Sequence, residues 1–312
     1  MTATVERPRA ATSEAGASAR RRRRSSNGLP PGEGRSTVLT VLIWLCAAYF
    51  LLPLIWLVIA STKDNTGLFT SFGFAFSGHF HLWDNLGALF GQRGGVFGVW
   101  FLNTLLYAVV SGVGAAALST AAGYAFAKYD FPGKKLWFAV VLGAIMIPTT
   151  ALALPTYLLF SSAHLTNTIW AIILPSLVSP FGVFLMRVFA EEAIPDSLLE
   201  AARIDGAGEL RIFAQIGVRL LGPGMVTVLL FALVATWNNY FLPLIMLTDP
   251  SLFPLTVGLA QLQAASEAGG GASAQFSTVI TGSLVSIVPL VVAFLYLQRY
   301  WQSGLSTGSV KE

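Results

Sequence analysis

The sequence predicts an all-α integral membrane protein with six transmembrane helices. Three observations carry this: the composition, a series of long apolar runs, and the placement of basic residues between them. Of 312 residues, 54% are hydrophobic and 11% charged, where a soluble domain carries about 25% charged. A bilayer core about 30 Å thick takes roughly 20 apolar residues per helix.

Six runs meet that length, at 38–60, 101–127, 136–160, 167–189, 223–247 and 278–301. Pro53, Gly112, Gly114, Pro148, Pro155, Pro175, Pro180, Pro243 and Pro289 fall inside them. Membrane helices tolerate such residues because neighbouring helices satisfy the freed backbone groups. The small-residue stretch from Ser111 to Ala117 lets helices approach closely.

Basic residues alternate along this series. The N-terminal tail holds eight: Arg7, Arg9, Arg20 to Arg24, and Arg35. Lys63 and Arg93 follow span one, and Lys128, Lys134 and Lys135 follow span two. The link after span three has none. Arg187, Arg203, Arg211 and Arg219 surround the link after span four, and none lies in 248–277. Arg299 and Lys311 close the chain. The positive-inside rule then puts both termini in the cytoplasm, as an even number of spans requires. Trp100, Tyr129, Trp137, Trp170, Tyr300 and Trp301 fit interfacial anchors at span ends.

Residues 1–36 are rich in Ala, Ser, Gly, Pro and Arg, too polar to pack, and read as a disordered basic cytoplasmic tail. Residues 37–312 form the membrane domain, with its core at 101–301. Arg20 to Arg24 beside a span read as a topology signal or a contact for anionic lipid, and no folded basic face points to nucleic acid. The run Val38 to Ala60 exceeds the 7–15 apolar residues of a signal peptide and reads as a retained anchor. Cys46 is the only cysteine, so no disulfide forms within the chain. His79, His81 and His164 make no metal-binding set. No metal or other cofactor is expected.

No Asp, Glu, Lys, Arg or His lies in the interior of a span, and Arg187 near a span end can snorkel to the interface. Proton- and ion-driven transporters carry such groups to bind or relay the coupling ion. A secondary transporter is thus disfavoured, and a channel lacks a filter-like stretch. A phosphate-binding loop is missing too: Gly133-Lys134-Lys135 lacks the upstream glycine and the hydroxyl residue. A pump built on this chain takes its energy from another subunit, and the chain itself is not an enzyme.

The link from Ala190 to Gly222 is the longest cytoplasmic segment after the tail. Ser197 and Glu200 have the spacing of a capping box. Leu198, Ala201, Ala202 and Asp205 share one helical face, and Gly206 ends the helix in a left-handed conformation. A second helical stretch runs from Glu209 to Val218. Physical reasoning leaves two uses for such a short helix: a knob for a cytoplasmic partner, or an amphipathic segment lying on lipid.

Glu200-Ala201-Ala202, three residues, Gly206, nine residues and Ile216 resemble the EAA loop of binding-protein-dependent ABC importer permeases. The run Glu200 to Ala207 resembles the carbohydrate branch, of maltose-permease G type. Further matches are Ser61-Thr62-Lys63, Asn103-Thr104-Leu105, Tyr124 to Ala127, Phe131 to Lys134, Ile147-Pro148, Leu165 to Thr168, Trp237-Asn238-Asn239, and the ending Leu297 to Lys311. The resemblance covers 38–312. One departure is Val218-Arg219, where the family has Leu-Pro; the second helix is expected to run on toward Leu221, with Pro223 as the next break.

The resemblance implies an ABC importer permease fold with a cytoplasmic coupling helix in the 195–218 loop. It implies a bacterial cytoplasmic (inner) membrane location and a sugar as cargo. The implied partners are a second permease subunit (a different chain in this branch), a dimer of ATP-binding subunits and an extracytoplasmic solute-binding protein. Glu200, Ala201, Ala202, Asp205 and Gly206 are the expected ATPase-docking residues. Trp237, Asn238, Asn239 and Tyr240 form the one aromatic and amide cluster inside a span, suited to sugar C–H faces and hydroxyls or to helix–helix hydrogen bonding. The loops at 61–100 and 248–277, the second with Gly269-Gly270-Gly271, are the expected contacts for the binding protein. Amino acids, peptides or ions are alternative cargoes.

Overall fold

Helices make up the fold, with no strand among the described residues; the computed structural model describes residues 37–91, 94–268 and 275–307. The basic tail, Arg93, the three glycines at 269–271 and the end of the chain lie outside the described residues. Two units meet at Leu52 and Pro53, inside helix α1 (Thr37–Ser61). In the first unit, the described part of α1 is apolar all round and exposes Val38, Leu42, Ile43, Trp44 and Phe50. A helix with no polar face satisfies its backbone internally and offers only hydrocarbon to its surroundings, which suits lipid.

The second unit holds the remaining elements. After α1 come α2 (Asn65–Thr70) and α3 (Leu82–Gly91), then α4 (Val96–Lys128), which at 33 residues reaches about 50 Å. Along α4, buried positions recur every three to four residues: Trp100, Thr104, Ala108, Ser111, Ala115, Ser119 and Gly123. Most are small, as the stretch from Ser111 to Ala117 leads one to expect, and neighbouring helices come close. At Gly123 an added Cβ would stand 2.7 Å from the backbone nitrogen of Arg187, so only glycine fits that crossing.

The run at 136–160 is not one helix. It divides into α5 (Lys134–Ile145) and α6 (Ala153–Ser162), with turns at Met146 to Leu152 between them. Pro148 lacks an N–H and biases Ile147 away from helical geometry, and the chain turns there by bonds such as Ala151 N–H to the Pro148 carbonyl at 3.0 Å. The next run contains α7 (Trp170–Ser176) and α8 (Pro180–Ala193), which together make one crossing length. Ser179 caps α8, its hydroxyl accepting from Gly182 N–H at 3.1 Å.

The α9 helix (Asp196–Ile204) follows. Then α10 (Glu209–Ile212), a π-helical turn at Phe213–Gly217 and α11 (Val218–Leu220) form one helical path. That path bends by 76° into α12 (Gly222–Trp237), with Pro223 in its first turn. With no proline at 219, the helix does run on to the expected break. A further interruption at Asn238 to Tyr240 precedes α13 (Phe241–Met246), so the run at 223–247 is also divided. The elements α14 (Leu255–Ala268) and α15 (Phe276–Thr307) complete the fold.

Among the described residues, four helical stretches are long and apolar enough to cross a membrane: Thr37–Ser61, Val96–Lys128, Trp170–Ala193 and Phe276–Tyr300. The bent pair around Leu221 brings the number to five.

Each end of α4 is fastened to a loop. At its start, Trp100 Nε1 donates to the Pro250 carbonyl (2.9 Å) and Tyr107 Oη to that of Leu252 (2.9 Å). Asn103 Nδ2 donates to the carbonyls of Ser251 (2.7 Å) and Phe253 (3.1 Å), and Thr104 Oγ1 accepts from Leu255 N–H (2.7 Å). These four side chains share one face of α4 and bind the 3-10 turn at Pro250–Leu252 and the residues just after it. At its other end α4 meets α9.

Candidate functional site

The α9 segment starts at Asp196, with Pro195 as its cap and no side-chain capping bond. The capping box expected from Ser197 and Glu200 does not form. Helix geometry begins at Asp196, two residues earlier than that box needs, and Asp196 is tied to α4. Its Oδ1 accepts from Lys128 Nζ at 2.8 Å, and the Lys128 stem is almost fully buried. The Lys128 hydrogen bond and charge hold the Asp196 carboxyl below its usual range.

The far end of α9 closes as expected. Gly206 has φ +79°, and its N–H donates to the Arg203 carbonyl at 3.0 Å. Ala207 N–H donates to the Ala202 carbonyl at 3.0 Å. These two bonds are the Schellman closure that a left-handed glycine permits.

The expected face is split. Leu199 is buried and Ala202 half-buried, while Leu198, Ala201 and Asp205 are exposed. Leu199 and Ile212 join Met186, Ala190 and Tyr124 in one apolar cluster, which turns Ala202 inward. The surface left bare carries Glu200, Ala201, Asp205 and Gly206, with Ile204 at 86% exposure and Leu210 at 81%. Two nearly bare aliphatic side chains beside two carboxylates form a mixed patch. Four of the five expected docking residues lie on it; Ala202 does not.

A second tie lies across the loop. Tyr129 Oη donates to Glu209 Oε2 at 2.8 Å, and Arg203 reaches both oxygens of Glu209, with Nε at 2.7 Å and Nη2 at 3.3 Å. Arg203 first, and Tyr129 second, hold the Glu209 carboxyl below its usual range. Burial and the Glu209 contact push the Tyr129 hydroxyl up. Both ends of the α9 turn are therefore bound to the two residues Lys128 and Tyr129. Sequence reasoning missed these ties; the signal was a Lys-Tyr pair at a span end, facing acids far along the chain.

The second expected cluster sits where α12 stops. Trp237 is buried, donates from Nε1 to the Ser286 carbonyl at 3.1 Å, and meets Phe101 edge-on at 6.2 Å. Asn238 is exposed and its Nδ2 returns to the Val234 carbonyl at 2.9 Å. Asn239 is half-buried; its Oδ1 accepts from Leu242 N–H at 3.4 Å and its carbonyl from Thr256 Oγ1 at 2.7 Å. Tyr240 is exposed. The four residues thus form a break in helical continuity: one ring packed into the core, one amide holding the next helix, and one amide and one phenol left outside. Among the described residues, no group of acids, histidines or cysteine could hold a metal ion.

Residues 115–304 match the family described as binding-protein-dependent transport system inner membrane component. The chain belongs to this family. Both loop ties fall in or beside the matched region. Among similar proteins is the arabinooligosaccharides transport system permease protein AraQ of Halalkalibacterium halodurans, 35% identical over 277 residues, covering 88% of this chain and 96% of that one. The sn-glycerol-3-phosphate transport system permease protein UgpE of Yersinia pestis is 29% identical over 259 residues, covering 82% and 90%. A bacterial ABC transporter chain involved in importing the acidic polysaccharide alginate has the same fold, with a TM-score of 0.74 at 24% identity, over 85% of this chain and 95% of that one. As a family member the chain is an ABC-type permease component and integral to a membrane.

Proposed function

We propose that this permease carries sugars as one of two membrane subunits in an ATP-driven importer, and that α9 is its coupling helix. The observation that carries the coupling role is the patch at Glu200, Ala201, Ile204, Asp205, Gly206 and Leu210, exposed yet held by two ties to α4. A protein-docking face combines a desolvated apolar centre with polar groups at its rim. Ile204 and Leu210 supply the first; Glu200 and Asp205 supply the second and pair with basic groups on an ATP-binding subunit. Gly206 allows the tight end, and Ala202 serves from inside by seating the helix.

In this reading the broken α5–α6 pair completes one crossing and the bent pair another, giving six spans. Both termini lie in the cytoplasm of a bacterial inner membrane. ATP binding closes the ATPase dimer, α9 carries the motion into α4, and access changes from one side to the other. The turn at 248–255 receives an extracytoplasmic solute-binding protein. Asn238, Asn239 and Tyr240 lie along the substrate path, with Trp237 as its buried support.

Sugar as cargo is supported by similarity to a permease named for arabinooligosaccharides. Similarity to a permease named for sn-glycerol-3-phosphate favours a second reading, a phosphorylated polyol. The test is to purify the complex, identify its subunits, and screen sugars and polyol phosphates against the binding protein. Solute-stimulated ATPase activity that survives both Gly206→Pro and Glu200→Lys rejects the coupling role. Uptake unchanged in Asn238→Ala and Asn239→Ala rejects the path.

A further inference from the structure

We propose that the aromatic segment from Phe69 to Trp83 is seated in the membrane interface, at the end of the spans away from α9, with Lys63 as the positioning residue that holds it there. The inference rests on membrane embedding and is independent of the sugar reading.

From Asn65 to Trp83 the chain carries no Asp, Glu, Lys or Arg. Yet Phe69, Phe72, Phe76, Phe80 and Trp83 are between 57% and 75% exposed. Apolar rings left in water forgo the gain of burial, so five on one short segment call for a cover. Their level relative to the bilayer is set by two contacts with the start of α15. Asn65 Oδ1 accepts from Ser277 N–H at 2.9 Å, and the Phe69 ring meets Phe276 edge-on at 5.6 Å. The rings therefore begin where the apolar surface of a span ends, and continue that surface. Aromatic side chains without charges suit this zone, where one side is hydrocarbon and the other is wet. Between Asp64 and Asp84 no Asp, Glu, Lys or Arg interrupts the series of rings.

The segment is held, not loose. Ser61, Thr62 and Lys63 are buried at the end of α1. Asn85 Nδ2 donates to the Ser61 and Lys63 carbonyls, both at 2.9 Å, and His81 N–H donates to the Thr62 carbonyl at 2.8 Å. Lys63, only 1% exposed, donates from Nζ to the Phe72 carbonyl at 2.8 Å. An ammonium is costly to bury without hydrogen bonds, so its place under the segment marks a fixed contact. That bond reaches backbone, and fixes the middle of the aromatic series whatever ring stands there.

The test uses the full chain in its membrane complex with the ATP-binding subunits, without the solute-binding protein, in nanodiscs of phosphatidylethanolamine and phosphatidylglycerol. Cys46→Ser removes the only thiol. Nitroxides are then placed at Phe72→Cys, Phe76→Cys and, as an aqueous reference, Ser251→Cys. Membrane seating predicts that oxygen relaxes labels 72 and 76 several-fold more than a nickel chelate does, with the reverse at 251. A water-like profile at 72 and 76 overturns the proposal. So does protection from both colliders, which means a protein lies over the rings. Lys63→Met is expected to move label 72 toward the water-like profile, with Lys63→Arg restoring the seated one. Lys63→Gln, which keeps a donor, serves if Lys63→Met does not assemble. An unmoved label 72 in Lys63→Met or Lys63→Gln overturns the positioning role.

Discussion

Lys128 Nζ and Asp196 Oδ1 stand 2.8 Å apart and join the last residue of α4 to the first of α9. The lysine stem is buried and the carboxylate exposed, so the pair is anchored on one side and open on the other. If α9 drives α4, Lys128→Met lowers solute-stimulated ATPase activity by about two- to thirtyfold, the range expected for a residue in a coupling network. Basal ATPase activity of the complex is the control. Asp196→Asn gives a similar loss, and the double variant is no worse than Lys128→Met alone.

Glu209 gives the loop a pH signature. Its folded value lies below the ordinary 4.5, chiefly through Arg203 and then Tyr129. Its stabilising contribution is therefore full above 4.5 and is lost as pH falls through the lower, folded value. Hydrogen exchange over 196–212, corrected for intrinsic rate, stays flat near neutral pH and rises as pH falls below 4.5. Glu209→Gln exchanges faster already at neutral pH and shrinks the acid step to the part that Asp196 contributes.

Gly206 and Gly123 separate conformational need from spatial need. At φ +79° with open space around it, Gly206→Ala costs about 1–2 kcal/mol, the left-handed penalty for an L-residue. Gly206→Asn costs less, since Asn tolerates that conformation. Gly123→Ala instead pushes α4 from α8 and costs about 1–3 kcal/mol by overpacking. Gly123→Asn has no such relief, being larger still. Thermal unfolding of the purified chain in detergent ranks the four.

Asn103 holds two carbonyls of the 250–255 turn. Asn103→Leu leaves both without that donor and costs about 0.5–1.5 kcal/mol, since water can reach this exposed turn. Proteolytic cutting near Ser251 is expected to quicken, and α9 exchange to stay unchanged.

Much of this architecture could be read from the chain. Helices α1, α4 and α15 follow apolar runs without interruption, and the end of α9 follows from Gly206. The runs at 136–160 and 223–247 misled for one reason: apolar length sums across a break. Pro148 by itself cannot distinguish a kink from a turn, because that depends on what neighbours offer to the freed backbone groups. The start of α9 failed for a different reason. Ser197 had the right local pattern, but the helix already starts at Asp196, which a lysine 68 residues away holds. Leu198 and Leu199 illustrate a limit of periodicity, since adjacent residues differ by about 100° around a helix, and only Met186, Ala190 and Ile212 decide which points inward. Asn103 and Lys63 were visible within motifs, yet their partners are backbone carbonyls, which no residue pattern advertises.

The two fastened ends of α4 carry a thermodynamic obligation. One rod bears the 250–255 turn at its start and α9 at its finish. Suppose a protein that settles on the turn displaces the rod and thereby changes affinity at α9 by some factor. Whatever binds α9 must then change affinity at the turn by the same factor. Titrating either occupant in the presence of the other yields a single number, the coupling constant of that helix.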